Sequence, residues 1–393
     1  MITVRLSILG AFALFLTTGS AADSSCSAQD TAFRMPTYTD EGMPPPRSQA
    51  DVDKLLAGAD ASAPADAADA KPLRIVLVDG EKDHGKGEHD YPAWLKVWAP
   101  GLAKAKNTTV DTARDFPTQE QIDNSDVLVF YQRGKWDDAR AKAIDPFLAR
   151  GGGCVYIHWA VDGRGGQVEF AKRIGLASLG GSIKYRHGPQ DVDFAPGKDH
   201  PIARNFTRVK WVDETYWTLT GDPKSLNLIA TQEEDGAPQP LFWSMEHGKG
   251  RVFVSIPGHY MWTFDDPAFR LLLLRGIAWA GHRNVDRFND LVTLDARIAS
   301  VISVGQEWSK AIAMAKQAGY ELNDASQLAM VPTPDGFYVN MRGDQGLLVL
   351  RNVESNKVVS LRQVENWSQP KSFRKYHPID SFTLPQANET SDN

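Results

Sequence analysis

The sequence is poor in cysteine: only Cys26 and Cys154 occur among 393 residues. Cys26 lies in a polar stretch and Cys154 in an apolar run. No disulfide framework is therefore available, and Cys154 reads as a small buried hydrophobe. An excess of positive charge is also missing. Lysine and arginine total 43 against 49 aspartates and glutamates, a formal net charge of −6, so there is no electrostatic footprint for nucleic acid. The apolar run Leu6–Leu16 is too short to span a bilayer comfortably. It follows Arg5 and precedes Gly19-Ser20-Ala21-Ala22, which is the form of a signal peptide over residues 1–22. The expectation is a bacterial protein exported to the periplasm or beyond, with no membrane span after cleavage. Cys26 lacks the leucine-type residue of a lipoprotein box, and there is no internal repeat.

What is present divides the chain. Residues 23–72 are an Ala/Asp/Pro-rich tether, typified by GADASAPADAADAKP, in which only Asp51–Leu56 could form a short helix. Order is expected from Leu73. LRIVLVDG, DVLVFYQ and CVYIH are continuous apolar runs, as in parallel strands buried on both faces. Between them, Trp94, Leu95, Trp98 and Leu102 recur at helical spacing, as do Ile144, Phe147 and Leu148 before Gly151. LNLIA, PLFWSM and RVFVSIPG follow as further strands, and Asp266-Pro267 opens the apolar helix AFRLLLLRGIAWA. Strand alternating with helix predicts an α/β fold with a flavodoxin-like, doubly wound, mostly parallel sheet over residues 73–283. Residues 284–393 change character. Helical spacing at Leu291, Leu294, Ile298 and Val301 and in EWSKAIAMAKQAGYEL, then the short runs FYVNM, GLLVLRN and KVVSLR, suggest a small α+β extension ending in a polar tail.

Ligands of such sheets sit outside the carboxyl ends of the strands. Six of the nine histidines fall at or near such places: His84 and His89 after the first strand, His158 after CVYI, His187 in YRHGPQ, His200, and His259 after RVFVSIPG. WVDETYW adds Asp213 and Glu214 between aromatic residues. One histidine after a strand is more often a turn cap than a ligand. Several segments delivering imidazole or carboxylate to one sheet edge is the arrangement for general acid–base chemistry or a divalent metal.

GGGCVYIHWAVDGR has the strand–tight turn of an elbow that displays a nucleophile, and it resembles that of the class I glutamine amidotransferase-like fold. Here the elbow residue is His158, while Cys154 lies inside the strand, so thiol acyl transfer is excluded. Together with HGP, DHPIARNF, WVDETYW and GKGRVFVSIPGHYMWTFDDPAFRLLLLRGIAWA, the segment resembles the trehalose-utilisation (ThuA-like) family. The loop HGKGEHDYPAW is longer and more basic than the family pattern. The resemblance implies the flavodoxin-type fold with histidine at the elbow, and carbohydrate metabolism through sugars oxidised to a ketone at carbon 3. A 3-keto group acidifies the neighbouring C–H, so a base can remove that proton while an electrophile stabilises the enolate. The expected catalytic residues are Glu214, as general base with its pKa raised by burial among Trp211, Tyr216 and Trp217, and His158 and His259 as acid partners or ligands of a divalent metal. Trp159, Tyr216, Tyr260, Trp262, His187 and His89 are expected to bind the substrate. The reading is a carbohydrate-active lyase, isomerase or hydrolase. Its alternatives are a non-catalytic carbohydrate-binding protein using the same aromatic-lined pocket and a metal-dependent hydrolase of another small substrate.

Overall fold

The computed structural model describes residues 42–44, 46–58 and 71–292, and, further on, 302, 305–317, 322–324, 336–340 and 345–365. The expected signal peptide, Cys26 and the polar tail lie outside the described residues. The sheet strands are β1 (Leu73–Asp79), β2 (Thr108–Arg114), β3 (Val127–Tyr131), β4 (Gly153–Ile157), β5 (Leu176–Ala177), β6 (Lys184–Asp193), β7 (Arg208–Trp217), β8 (Thr220–Gly221), β9 (Asn227–Glu234), β10 (Ala237–His247) and β11 (Gly250–Ser255). All but β5 and β8 join one nine-stranded sheet of order β2-β1-β3-β4-β11-β10-β9-β6-β7. The first five are mutually parallel and carry the flavodoxin-like order 2-1-3-4-5. The rest continue antiparallel.

The helices are α1 (Gln49–Leu56), α2 (Tyr91–Leu102), α3 (Gln119–Asn124), α4 (Asp138–Ala149), α5 (Gln167–Ile174), α6 (Met261–Asp265) and α7 (Pro267–Ala280). Helix α2 packs on β1 and β2, α4 on β4 and β11, α5 on β10 and β11, and α7 on β3, β4 and β11. β3 and β4 are buried at every position, which explains their unbroken apolar runs. Asp266 caps α7 through Ala268 N at 2.8 Å, as the Asp-Pro pair predicts.

Part of the expected tether is docked. Val52 and Leu56 of α1 are buried, and its last carbonyls are held from the domain: Leu55 O accepts from Arg275 Nη2 (3.2 Å) and Asn205 Nδ2 (3.1 Å). Ahead of the helix, Arg47 forks onto Asp266 at 2.8 and 2.7 Å. In the C-terminal extension the helix is Trp308–Gln317, and Gly336–Asn340, Gln345–Asn352 and Lys357–Glu365 form antiparallel strands. The expected helix about Leu291–Val301 lies largely outside the described residues. Among the described residues no helix is long and apolar enough to cross a membrane.

Candidate metal centre

Three loops at the carboxyl ends of β1, β4 and β11 converge with strand β7. From the first comes His89, from the second His158, from the third His259, and from β7 Glu214; all four are buried. Each offers one ligand atom, and these atoms lie within 4.8 Å of one another. His158 stands at the elbow with φ +58, opening a short 3₁₀ turn. Gly258 makes room for it: a Cβ there would stand 2.9 Å from Ile157 Cγ2 and 3.2 Å from His158 Cβ, and its own φ is +141. His84 and His89 also take left-handed backbone, at φ +66 and +42. Such conformations cost roughly 1–3 kcal/mol each and persist where the surroundings over-determine them, commonly at functional sites.

The hydrogen bonds settle which imidazole nitrogens are bare. His158 Nδ1 donates to the Ile256 carbonyl at 2.7 Å, so its Nε2 carries the lone pair when the ring is neutral. His89 Nδ1 donates to Asp83 Oδ1 at 2.6 Å. Burial, against that hydrogen bond and helped by neighbouring His158 and His259, takes the His89 pKa down to about 3, so this ring is neutral near pH 7. The two bare Nε2 atoms face each other at 2.8 Å. At that distance either a shared proton or a cation beside the pair must relieve the repulsion of the two lone pairs. His259 completes the set. Its Nδ1 is 2.9 Å from Glu214 Oε2, yet neither of its buried ring nitrogens makes an aligned hydrogen bond. Three imidazoles and a carboxylate, all buried and with their ligand atoms converging, fit a divalent transition cation such as Zn²⁺.

The surroundings orient this set as outer partners orient metal ligands. Asp83 accepts from His89, from His84 Nδ1 at 2.9 Å and from Tyr91 OH at 3.2 Å. Burial opposes its ionisation, but the hydrogen bonds from His89 and His84 hold its carboxyl well below the usual range. Asp213, fully buried, accepts on Oδ1 from the backbone N–H of Glu214 (2.7 Å), Gly258 (3.1 Å) and His259 (3.0 Å), and on Oδ2 from Thr263 Oγ1. It thereby locks the His259 loop to β7. Tyr216 OH stands 2.9 Å from His158 Nε2 and donates to Glu214 Oε2 at 3.1 Å. Burial pushes this phenol far above its usual pKa, so it remains a donor. Replacing Asp83 by Asn leaves the shape but removes the anionic acceptor behind His89. Cation affinity should then fall roughly 10- to 100-fold. Competition against a chromophoric chelator reads this, and an unchanged affinity would remove Asp83 from the centre.

Glu214 differs from expectation in one respect. Burial does penalise its charge, but the imidazoles of His158, His187 and His259 gathered around it outweigh that penalty, and the carboxyl titrates far below its usual range rather than above it. Strand parity also removes two of the aromatic neighbours expected around it. Along β7, Trp211, Asp213, Thr215 and Trp217 share one face while Glu214 and Tyr216 share the other. Trp211 Nε1 donates to Asp266 and Trp217 Nε1 to Asp235, so of the three expected aromatic neighbours only Tyr216 shares the Glu214 face.

Nearer solvent, His187 has a side chain 39% exposed and places Nε2 3.1 Å from Glu214 Oε1, while its Nδ1 meets Tyr260 OH at 3.0 Å. Tyr260 stacks on Trp262 with ring centres 4.2 Å apart, and the Trp262 indole N–H is committed to Val212 O at 2.9 Å. Trp159 lies beside Tyr216, His89 and His84, with ring centres 5.6–5.9 Å away. His200 belongs elsewhere: it caps Ile202 N and meets Ser244 Oγ. The structure brings His89, expected among the substrate-binding residues, into the buried cluster, and adds Asp83 and Tyr91 beside it, which are not among the expected site residues. The available signal was an Asp-His pair six residues ahead of a second histidine on one glycine-rich loop.

The family model described as trehalose utilisation (ThuA) matches residues 75–280, just over half of the chain. Among solved structures the chain is similar to a ThuA-like protein from Parabacteroides merdae ATCC 43184 at 18% identity and TM-score 0.43, over 54% of this chain and 90% of that one. It is similar to another ThuA-like protein, from Bacteroides uniformis ATCC 8492, at 17% identity and TM-score 0.45, over 55% and 96% of the respective chains. A fainter likeness, 11% identity and TM-score 0.37 over 72% of this chain and 36% of the other, is to a β-galactosidase from Rahnella sp. R3. No curated protein sequence matches the chain. The matched segment contains all four residues of the buried cluster and the elbow that displays His158, and the chain belongs to the trehalose-utilisation (ThuA) family.

Proposed function

We propose that this protein is a carbohydrate-active enzyme that removes the acidic proton beside a 3-keto group of a glycoside, with a divalent cation held by His89, His158, His259 and Glu214. The observation that carries the reading is the buried cluster itself, in which one ligand atom from each of three imidazoles and a carboxylate lies within 4.8 Å of the others. A cation there supplies a Lewis acid for the sugar carbonyl and its enolate. The protein's own groups do the rest. Glu214 Oε2 faces the imidazoles, and Oε1 faces His187. Glu214 accepts the C2 proton on Oε1, the oxygen turned toward His187. The His187 imidazole is held more basic than usual, first by its hydrogen bond to Glu214. Protonated, it gives its proton to the departing glycosidic oxygen as the C1–O bond breaks and C1=C2 forms. The adjacency of base and acid lets the proton return from one to the other between turnovers.

Export of the chain is part of the same proposal and rests on residues 1–22. The experiment is turnover of 3-keto glycosides by Glu214→Gln. The amide keeps the shape but cannot take a proton, so kcat should fall by roughly 10²–10⁴-fold, the usual contribution of a positioned base. Turnover by Glu214→Gln at the wild-type rate would overturn the assignment.

A further inference from the structure

Exposed large apolar side chains are few among the described residues, and Tyr185, at 61% exposure, is the one aromatic among them. A single exposed aromatic is ordinary on a protein surface, so its position must carry the argument. In the β6–β7 ladder Tyr185 is opposite Tyr216 and His187 is opposite Glu214. The alternation of a strand puts Tyr185 and His187 on one face, two residues or roughly 7 Å apart. Tyr185 therefore continues the row that begins at His158 and runs through Tyr216, Glu214 and His187 toward solvent. Its ring centre is 5.8 Å from that of His187, edge to face. The flanking side chains are turned to other work: Lys184 pairs with Asp235 at 2.6 Å, and Arg186 forks onto Glu234. Gly188 adds no side chain beyond His187.

On the proposed reaction, a sugar ring at Glu214 and His187 meets the buried imidazoles on its inner side, so its aglycone lies toward the exposed side chains of His187 and Tyr185. We infer that Tyr185 is the platform of an outer subsite that receives the ring of the aglycone. The inference rests on the proposed reaction for its direction, but the subsite is testable without turnover. Aromatic faces pack on the apolar faces of ring systems and suit sites that are half wet.

The test compares trehalose with methyl α-glucoside, both as 3-keto sugars in kinetics and unoxidised in calorimetric binding, on wild type, Tyr185→Ala and Tyr185→Phe. Loss of one stacked ring should weaken the disaccharide about tenfold and the methyl glycoside less than about twofold, with Tyr185→Phe near wild type. Equal losses for the two sugars, no loss for either, or a wild type that binds neither sugar would overturn the subsite. If neither 3-keto sugar turns over, the proposed reaction falls while the binding pair still decides Tyr185: a selective tenfold loss upholds it, and equal affinities overturn it.

Discussion

Purified protein is expected to carry one divalent cation per chain, and His158→Ala to lose it. The hold on such an ion would depend on Nε2 of this residue, which no neighbour can replace because the elbow is set by φ +58 and by the space that Gly258 leaves. With the imidazole gone, His89 Nε2 faces a cavity, and the remaining ligands come from loops and a strand that no longer converge on one point. A Lewis acid at the carbonyl contributes several kcal/mol of transition-state stabilisation, so activity should fall roughly 10³-fold or more, each factor of ten being about 1.4 kcal/mol. Metal analysis of wild type beside the variant reads the first part directly. Equal metal in both proteins would place the ion elsewhere, and none in either would leave acid–base catalysis by the protein alone.

The largest effect on stability is expected from Asp213→Ala. Its carboxylate is the acceptor for three backbone N–H groups and the Thr263 hydroxyl, all deep in the protein. Alanine leaves these donors facing a cavity with no acceptor. One unsatisfied buried donor costs about 1–3 kcal/mol, and breaking a buried charged network costs roughly 3–5 kcal/mol. At about 2–4 °C per kcal/mol for a domain of this size, Tm should drop by roughly 10 °C, in metal-free protein as much as in the loaded form. Asp213→Asn, which keeps one acceptor oxygen, should lose less. A scan showing Asp213→Ala as stable as wild type would mean that the His259 loop is held by something else.

The parallel half of the fold is legible in the sequence because strands buried on both faces have no choice but to be apolar throughout, as β3 and β4 are. The strand β2 is not legible. TTVDTAR pairs with β1 on one side only and alternates partly buried with exposed positions, so it carries no apolar run. The β6–β7 hairpin hides for a similar reason, since β6 is largely exposed and contains a glycine and a proline. At the site, His158, His259 and Glu214 are visible as chemistry-bearing residues at strand ends. Their electrostatics are not, because the Glu214 shift is decided by three imidazoles arriving from other segments. His89 depends on a loop whose left-handed residues and Asp83 support have no periodic signature.

The four clustered groups come from four stretches of chain, with His158 standing 69 positions after His89. An ion binding there behaves as a reversible crosslink present in the folded chain and absent from the unfolded one. At a free concentration 100 times its dissociation constant it would add about 2.7 kcal/mol to the folded state. Supply of the ion would then govern survival of the molecule as well as its turnover. In metal-starved surroundings the apoprotein would be present at several-fold lower abundance, because more of it would be unfolded and open to proteolysis.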